Sequence, residues 1–160
     1  MKTPLLLLGL LACARMAQAA PEVVAQADSP DHVLRVELLL DDGRLAYRVA
    51  RFGEPVIDAS RLGFQLREGG RLERGLHLLA QSTSAVETTW EQPWGENREV
   101  RDRHVQLRAT IAESAGAQRR FDVVFRVFDD GIGFRYEFPQ QDAISTATID
   151  AELTEFVFSR

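Results

Sequence analysis

This sequence predicts an all-β fold, an antiparallel β-sandwich. Three observations carry that expectation. Apolar side chains recur with a period of two through most of the chain, and residues that reverse the backbone stand between the alternating runs. Beyond residue 19, no stretch of ten or more residues has helical spacing. Many short strands joined by turns must bury one face each, and packing two sheets together is the usual solution.

The chain opens with an address. Lys2 supplies a positive end, Leu5 to Ala14 a short apolar run, and Ala17-Gln18-Ala19 a small-residue cleavage pattern. The run is too short to span a bilayer as a helix. Residues 1–19 therefore read as a signal peptide, and the compartment as periplasmic or secreted. Cys13 after Leu10-Leu11-Ala12 has the look of a weak lipoprotein box. The leucine two residues before it departs from that pattern, so export without an anchor is the expectation.

The strands follow. Leu34, Val36, Leu38 and Leu40 share one face, with Arg35 and Glu37 opposite. Asp42-Gly43 supplies a two-residue hairpin signal, because such turns need positive φ. Leu45, Tyr47 and Val49 alternate on the returning strand. Another strand is expected near Leu62 to Arg67, before the Glu68-Gly69-Gly70 breaker, and Leu76 to Ala80 is a short apolar candidate. Val105, Leu107, Ala109 and Ile111 alternate cleanly, and Ser114-Ala115-Gly116-Ala117 reads as a turn.

Phe121, Val123, Phe125 and Val127 then form an apolar face, Asp129-Asp130-Gly131 reverses the chain, and Ile132, Phe134, Tyr136 and Phe138 run back. This hairpin holds six of the 13 aromatic residues, so it should sit at the centre of the core. Ala143 to Phe158 offers one or two further strands. The last six residues, Glu155 to Arg160, look like a strand in progress with an unpaired apolar edge, so the sequence reads as a piece of a longer domain.

Composition narrows the chemistry. The 160 residues suit one domain or part of one, and 45% hydrophobic content with 27% charged residues is ordinary for a globular chain. A formal net charge of -5 excludes the basic surface of a nucleic-acid binder. The single cysteine cannot form an internal disulfide or a thiolate metal cluster.

No catalytic constellation is legible. Glycoside hydrolysis needs two carboxyls set across the scissile bond, and the candidate pairs are Asp129/Asp130, Glu152/Glu155 and Glu91/Glu96. The aspartates sit in a turn, where Asp favours bonding its own backbone. Glu152 and Glu155 are an odd number apart, so a regular strand would send them to opposite sides. His32, His77 and His104 are scattered and lack the spacing of a zinc site, so catalytic and metal-ligating residues are expected to be none. One segment stands out: Trp90-Glu91-Gln92-Pro93-Trp94-Gly95-Glu96, read as a loop containing Pro and Gly. Trp90 and Trp94 could stack on sugar rings, or they could plug the sandwich or pack on a partner; Trp94 with Glu96 would also suit a docking surface.

Several segments together resemble a known family. They are Trp90 with Pro93-Trp94-Gly95-Glu96 and the run Phe125-Arg126-Val127-Phe128-Asp129-Asp130-Gly131-Ile132-Gly133-Phe134-Arg135-Tyr136-Glu137-Phe138-Pro139. Ser60-Arg61-Leu62-Gly63 and Glu152-Leu153-Thr154-Glu155-Phe156 support them. From Ser29-Pro30-Asp31 to Phe156, the chain resembles the N-terminal domain of glycoside hydrolase family 97, which includes bacterial α-glucosidases and α-galactosidases. The resemblance implies part of a β-super-sandwich over residues 20–160, in an exported enzyme whose acid and base or nucleophile lie on a following (β/α)8 barrel. It implies a carbohydrate substrate, an α-glucoside or α-galactoside, reached only through the full enzyme. It also implies calcium in that enzyme, with one glutamate from the N-terminal domain; this glutamate aligns beyond Arg160, so no metal ligand is carried over. The expectation is a non-catalytic domain that packs against the barrel and helps shape the sugar site. The alternative is a free-standing carbohydrate-binding module using Trp90 and Trp94.

Overall fold

The computed structural model describes residues 20–160, so the segment read as a signal peptide, with Cys13, lies outside the described residues. The strands are β1 (Glu22–Asp28), β2 (Leu34–Asp41), β3 (Arg44–Arg51), β4 (Glu54–Arg61), β5 (Phe64–Leu66) and β6 (Gly70–Leu72). They continue with β7 (Leu76–Glu91), β8 (Glu99–Glu113), β9 (Arg120–Val127), β10 (Ile132–Glu137) and β11 (Ile149–Glu152). Among the described residues there is no helix, and none that could cross a membrane. Two four-stranded antiparallel sheets, ordered β1-β2-β3-β4 and β10-β9-β8-β7, face each other, with β1 packed on β8 and β2 on β9. A three-stranded sheet, ordered β11-β5-β6, closes one end.

Alternation decides which residues enter the core. Leu34, Val36 and Leu38 from β2 and Leu45, Tyr47 and Val49 from β3 point inward to meet Leu107, Ala109 and Ile111 of β8 and Phe121, Val123, Phe125 and Val127 of β9. The turn between β2 and β3 is the predicted one: Asp42 at φ 48° and Gly43 at φ 70° keep Asp41 opposite Arg44. The aromatic hairpin is central, as expected. Phe125 and Phe134 pack with Tyr47, and Phe121, Tyr136 and Phe138 pack around Phe64 of the third sheet. Each ring removes a large apolar area from water, worth about 25 cal/mol per Å².

Four elements depart from the sequence reading. β1 escaped notice because a bulge between Val23 and Ala25 breaks its alternation. β4 begins Glu54-Pro55 and shifts register twice against β3, and only Ser60 of its eight residues is buried. β6 is three residues beginning with glycine. The largest departure is β7: the short run Leu76 to Ala80 is only the start of a 16-residue strand, almost wholly exposed and held by pairing with β8.

The C-terminal segment also differs from the expectation of an unpaired strand. After β11, it runs antiparallel along β4, with Glu155 N–H bonded to Arg61 C=O, Asp58 N–H to Val157 C=O and Ser159 N–H to Val56 C=O. Phe156 packs edge-on to Tyr47. Its outer side remains open, and Phe156, Val157 and Phe158 stay exposed.

Candidate functional site

The length mismatch between strands creates the main surface feature. β9 reaches β8 only from Val105 to Ala112, whereas β7 follows β8 out to the pair Glu91 and Glu99. Residues 86–91 and 99–104 therefore leave the sheet as a two-stranded arm. Such a ribbon is marginal in water unless something holds its root.

Both faces of the root are held. Arg103 donates Nη1 to Asp31 Oδ2 at 2.8 Å and Nη2 to Asp31 Oδ1 at 2.6 Å, and reaches Asp129 Oδ2 at 3.3 Å. Asp129 also accepts the Asp31 backbone N–H at 2.8 Å. The turns β1–β2 and β9–β10 are thereby tied to the arm, and the Arg103 guanidinium holds the Asp31 carboxyl below the usual carboxylate range. On the opposite face, buried His104 joins Asp102 through Nδ1 and lies 4.9 Å from the Phe128 ring. Asp129 thus cross-links elements through its side chain, a correction to the expectation that it bonds its own turn.

The tip is internally ordered. Gln92 N–H bonds Arg98 C=O at 2.8 Å, and Gln92 Nε2 bonds Asn97 C=O at 2.9 Å. Gly95 sits at φ 117°, and a Cβ there would lie 2.8 Å from Gln92 Nε2, so a side chain would strike the group that shapes the turn. Trp90 is a correction to the loop reading: it belongs to β7, opposite Val100, and is 48% exposed. Trp94 stands on the tip, 81% exposed. Glu91 pairs with Arg98 and Glu87 with Arg101, whereas Glu96 and Glu99 make no ion pair among the described residues. Trp90, Trp94 and Glu96 thus lie on one projecting arm. Flat rings beside free carboxylates can stack on a sugar's apolar face and accept its hydroxyls, or enter a neighbouring protein's cleft.

The other carboxyl candidates do not converge. Glu155 pairs with Arg61, which holds it below the usual carboxylate range, and Glu152 accepts from Thr154 at 2.6 Å. Asp129 and Asp130 stand on one rim of an apolar cleft of about 450 Å³, with Tyr47, Val49, Ile57, Phe134 and Phe156 among its walls and Arg51 its other charged group. Among the described residues that line it, no further carboxyl faces them. Asp28, Asp31, Glu87, Glu113, Glu137 and Glu155 are all displaced downward, each chiefly by a hydrogen bond from arginine. A general acid needs the opposite displacement.

Metal ligation has no better footing. His32 lies in the β1–β2 turn, His77 on β7 beside Ser114, and His104 under Phe128. Among the described residues, no group of three or more His, Cys, Asp or Glu could hold an ion. These residues do not fit a calcium site of their own.

Two features escaped the sequence reading. One is the Arg103 clamp, which joins Asp31, at the start of the stretch that carries the resemblance, to Asp129 of the hairpin turn. The other is a clasp between β4 and the C-terminal segment: Ser60 Oγ donates to Asp58 C=O at 2.8 Å and accepts Val157 N–H at 2.9 Å, and Tyr47 donates to Glu155 C=O at 3.0 Å. The two supporting motifs of the resemblance are thus spatial partners.

Known proteins agree with this architecture. The family model described as Glycosyl-hydrolase 97 N-terminal matches residues 27–160. A probable retaining alpha-galactosidase of Streptomyces bingchenggensis (strain BCW-1) is 35% identical over 106 residues, 66% of this chain and 16% of that protein. Solved structures of a Glycoside Hydrolase Family 97 enzyme from Pseudoalteromonas sp. strain K8, with panose or with acarbose, superpose with TM-score 0.79 at 30% identity, covering 84% of this chain and 20% of theirs. A beta-arabinopyranosidase at 24% identity and TM-score 0.77 shares the fold. The chain thus spans about a sixth to a fifth of the length of these relatives. With an all-β sandwich observed and the match running over most of its length, the chain belongs to the glycosyl-hydrolase 97 N-terminal family.

Proposed function

We propose that this domain is the non-catalytic N-terminal part of an exported α-glycoside hydrolase, and that its β7–β8 arm docks on a catalytic (β/α)8 barrel to form one wall of the sugar site. The observation that carries the reading is the arm: Trp94 at 81% exposure and an ion-pair-free Glu96 stand on a projection with a clamped root. A preorganised projection loses little freedom on docking, so more of its contact energy appears as affinity. The substrate class rests on the relatives, a probable retaining alpha-galactosidase and an enzyme in complex with panose or acarbose. Calcium belongs, in this reading, to the larger enzyme, and the compartment is the periplasm or the exterior.

The absence of an opposed carboxyl pair among the described residues implies that the chain alone cleaves nothing. Incubation of the purified chain with aryl α-glucosides and α-galactosides should give release equal to a buffer blank; turnover above it overturns the reading. The exposed Trp90 and Trp94 beside Glu96 favour a second reading, a carbohydrate-binding module. Titration with maltose-type oligosaccharides separates the two. Saturable quenching of intrinsic fluorescence, lost in Trp94→Ala, supports the module; an unchanged signal supports the docking arm.

A further inference from the structure

We propose that the outer edge of β7 is a self-pairing surface, on which a second copy of this chain adds its own β7 antiparallel across a two-fold axis. β7 is the terminal strand of its sheet, and among the described residues no strand bonds its far side. A free edge offers a row of unpaired N–H and C=O groups, and folded proteins blunt such edges with charge, proline, bulges, brevity or a cover.

The other edges of this molecule follow that rule. β1 is broken by its bulge. β10 is six residues long and carries Arg135 and Glu137, while β6 is three residues with Arg71 at its centre and β11 is four with Asp150 and Glu152. β4, with Pro55 and two register shifts, is covered by the C-terminal segment. That covering segment bonds β4 through the backbone at Val56, Asp58 and Arg61. β7 has an irregularity between Leu78 and Ala80, and beyond it differs from all of them. From Gln81 to Thr89 it reads Gln-Ser-Thr-Ser-Ala-Val-Glu-Thr-Thr, with no Pro, Gly, Lys or Arg. All of these residues except half-buried Val86 are exposed, and the register with β8 is unbroken. The one charge, Glu87, is paired with Arg101 on the adjacent strand.

Self-complementarity selects a second copy as the occupant. A two-fold through Ala85 sets Ser84 opposite Val86, Thr83 opposite Glu87, Ser82 opposite Thr88 and Gln81 opposite Thr89. No like charges meet, and Ser–Thr pairs facing each other across strands are favourable. An isologous contact of this kind closes at two copies and so does not propagate into fibres. The result is an eight-stranded sheet running through both copies, with the tips bearing Trp94 outside the pairing and still free to dock. The pairing shares residues 86–89 with the arm and leaves its tip free, so loss of the dimer and loss of docking are read separately.

Sedimentation velocity across the micromolar to submillimolar range tests it, combined with amide exchange on the same samples. The expected result is a twofold rise in mass with concentration, with added protection at residues 81–89. Ser82→Lys with Ser84→Lys places guard charges on exposed positions and should abolish both changes while leaving the circular dichroism spectrum intact. If that double variant loses its fold, Thr88→Lys alone provides the same comparison. A chain that stays monomeric throughout overturns the proposal, as does a dimer whose protection lies elsewhere or that survives in a folded guarded variant.

Discussion

Arg61 and Glu155 close a clasp across 94 positions of sequence: the Arg61 backbone N–H and guanidinium both reach the Glu155 carboxylate. Arginine lowers Glu155 here and Asp31 at the arm's root. Because these folded-state values lie below the unfolded ones, the stabilisation is fully present above about pH 5 and is lost as pH falls through the lowered values. The melting temperature should therefore fall below about pH 5, and Arg61→Ala should flatten part of that fall; circular dichroism melts across the acid range measure it. Side chains differ sharply in what they hold. Phe125 is fully buried between Tyr47 and Phe134, so Phe125→Ala should cost about 3–5 kcal/mol in denaturant unfolding. Trp94→Ala, on an exposed tip, should stay within about 0.5 kcal/mol of wild type. The alternation of Phe121, Val123 and Phe125 made the first cost legible in sequence. Two tryptophans near Pro93 and Gly95 did not reveal which ring would be more exposed, since that depends on where β7 ends.

The β7–β8 arm shows what an element owes to its surroundings. Its strands contain Thr88-Thr89 and Arg101-Asp102-Arg103, and its apolar residues Val86, Trp90 and Val100 are too sparse to alternate over a run, so periodicity gave no sign of a strand beyond Ala80. Pairing with β8 supplies the backbone bonds, and the Arg103 and His104 contacts fix the root. Arg103→Ala should raise amide exchange on the order of tenfold at residues 86–91 and 99–102 and leave β9 unchanged; mass-spectrometric exchange on the purified chain reads this directly. Equal protection in both proteins would mean that pairing alone holds the arm. Similar reasoning explains β1 and β4: bulges and shifted register keep the hydrogen bonds and erase the alternation by which a strand is read.

At the scale of the whole molecule, the sandwich is one scaffold that brings four distant motifs to two places, the arm's root and the C-terminal clasp. No described cluster fits a metal, so chelation with EGTA should leave the melting temperature of the isolated chain unchanged; a drop would reveal an ion site that these residues do not show. Fold class, the aromatic core hairpin and the family resemblance were legible in the chain alone. Those follow from local period, turn chemistry and residue type, which neighbours in the chain express without help. That Asp129 serves Arg103 and Asp31, that Glu155 serves Arg61 and that Trp90 lies on a strand became visible once the sheets were assembled. Such roles depend on register between strands tens of residues apart, and that register is set by cross-strand hydrogen bonds that alternation does not encode.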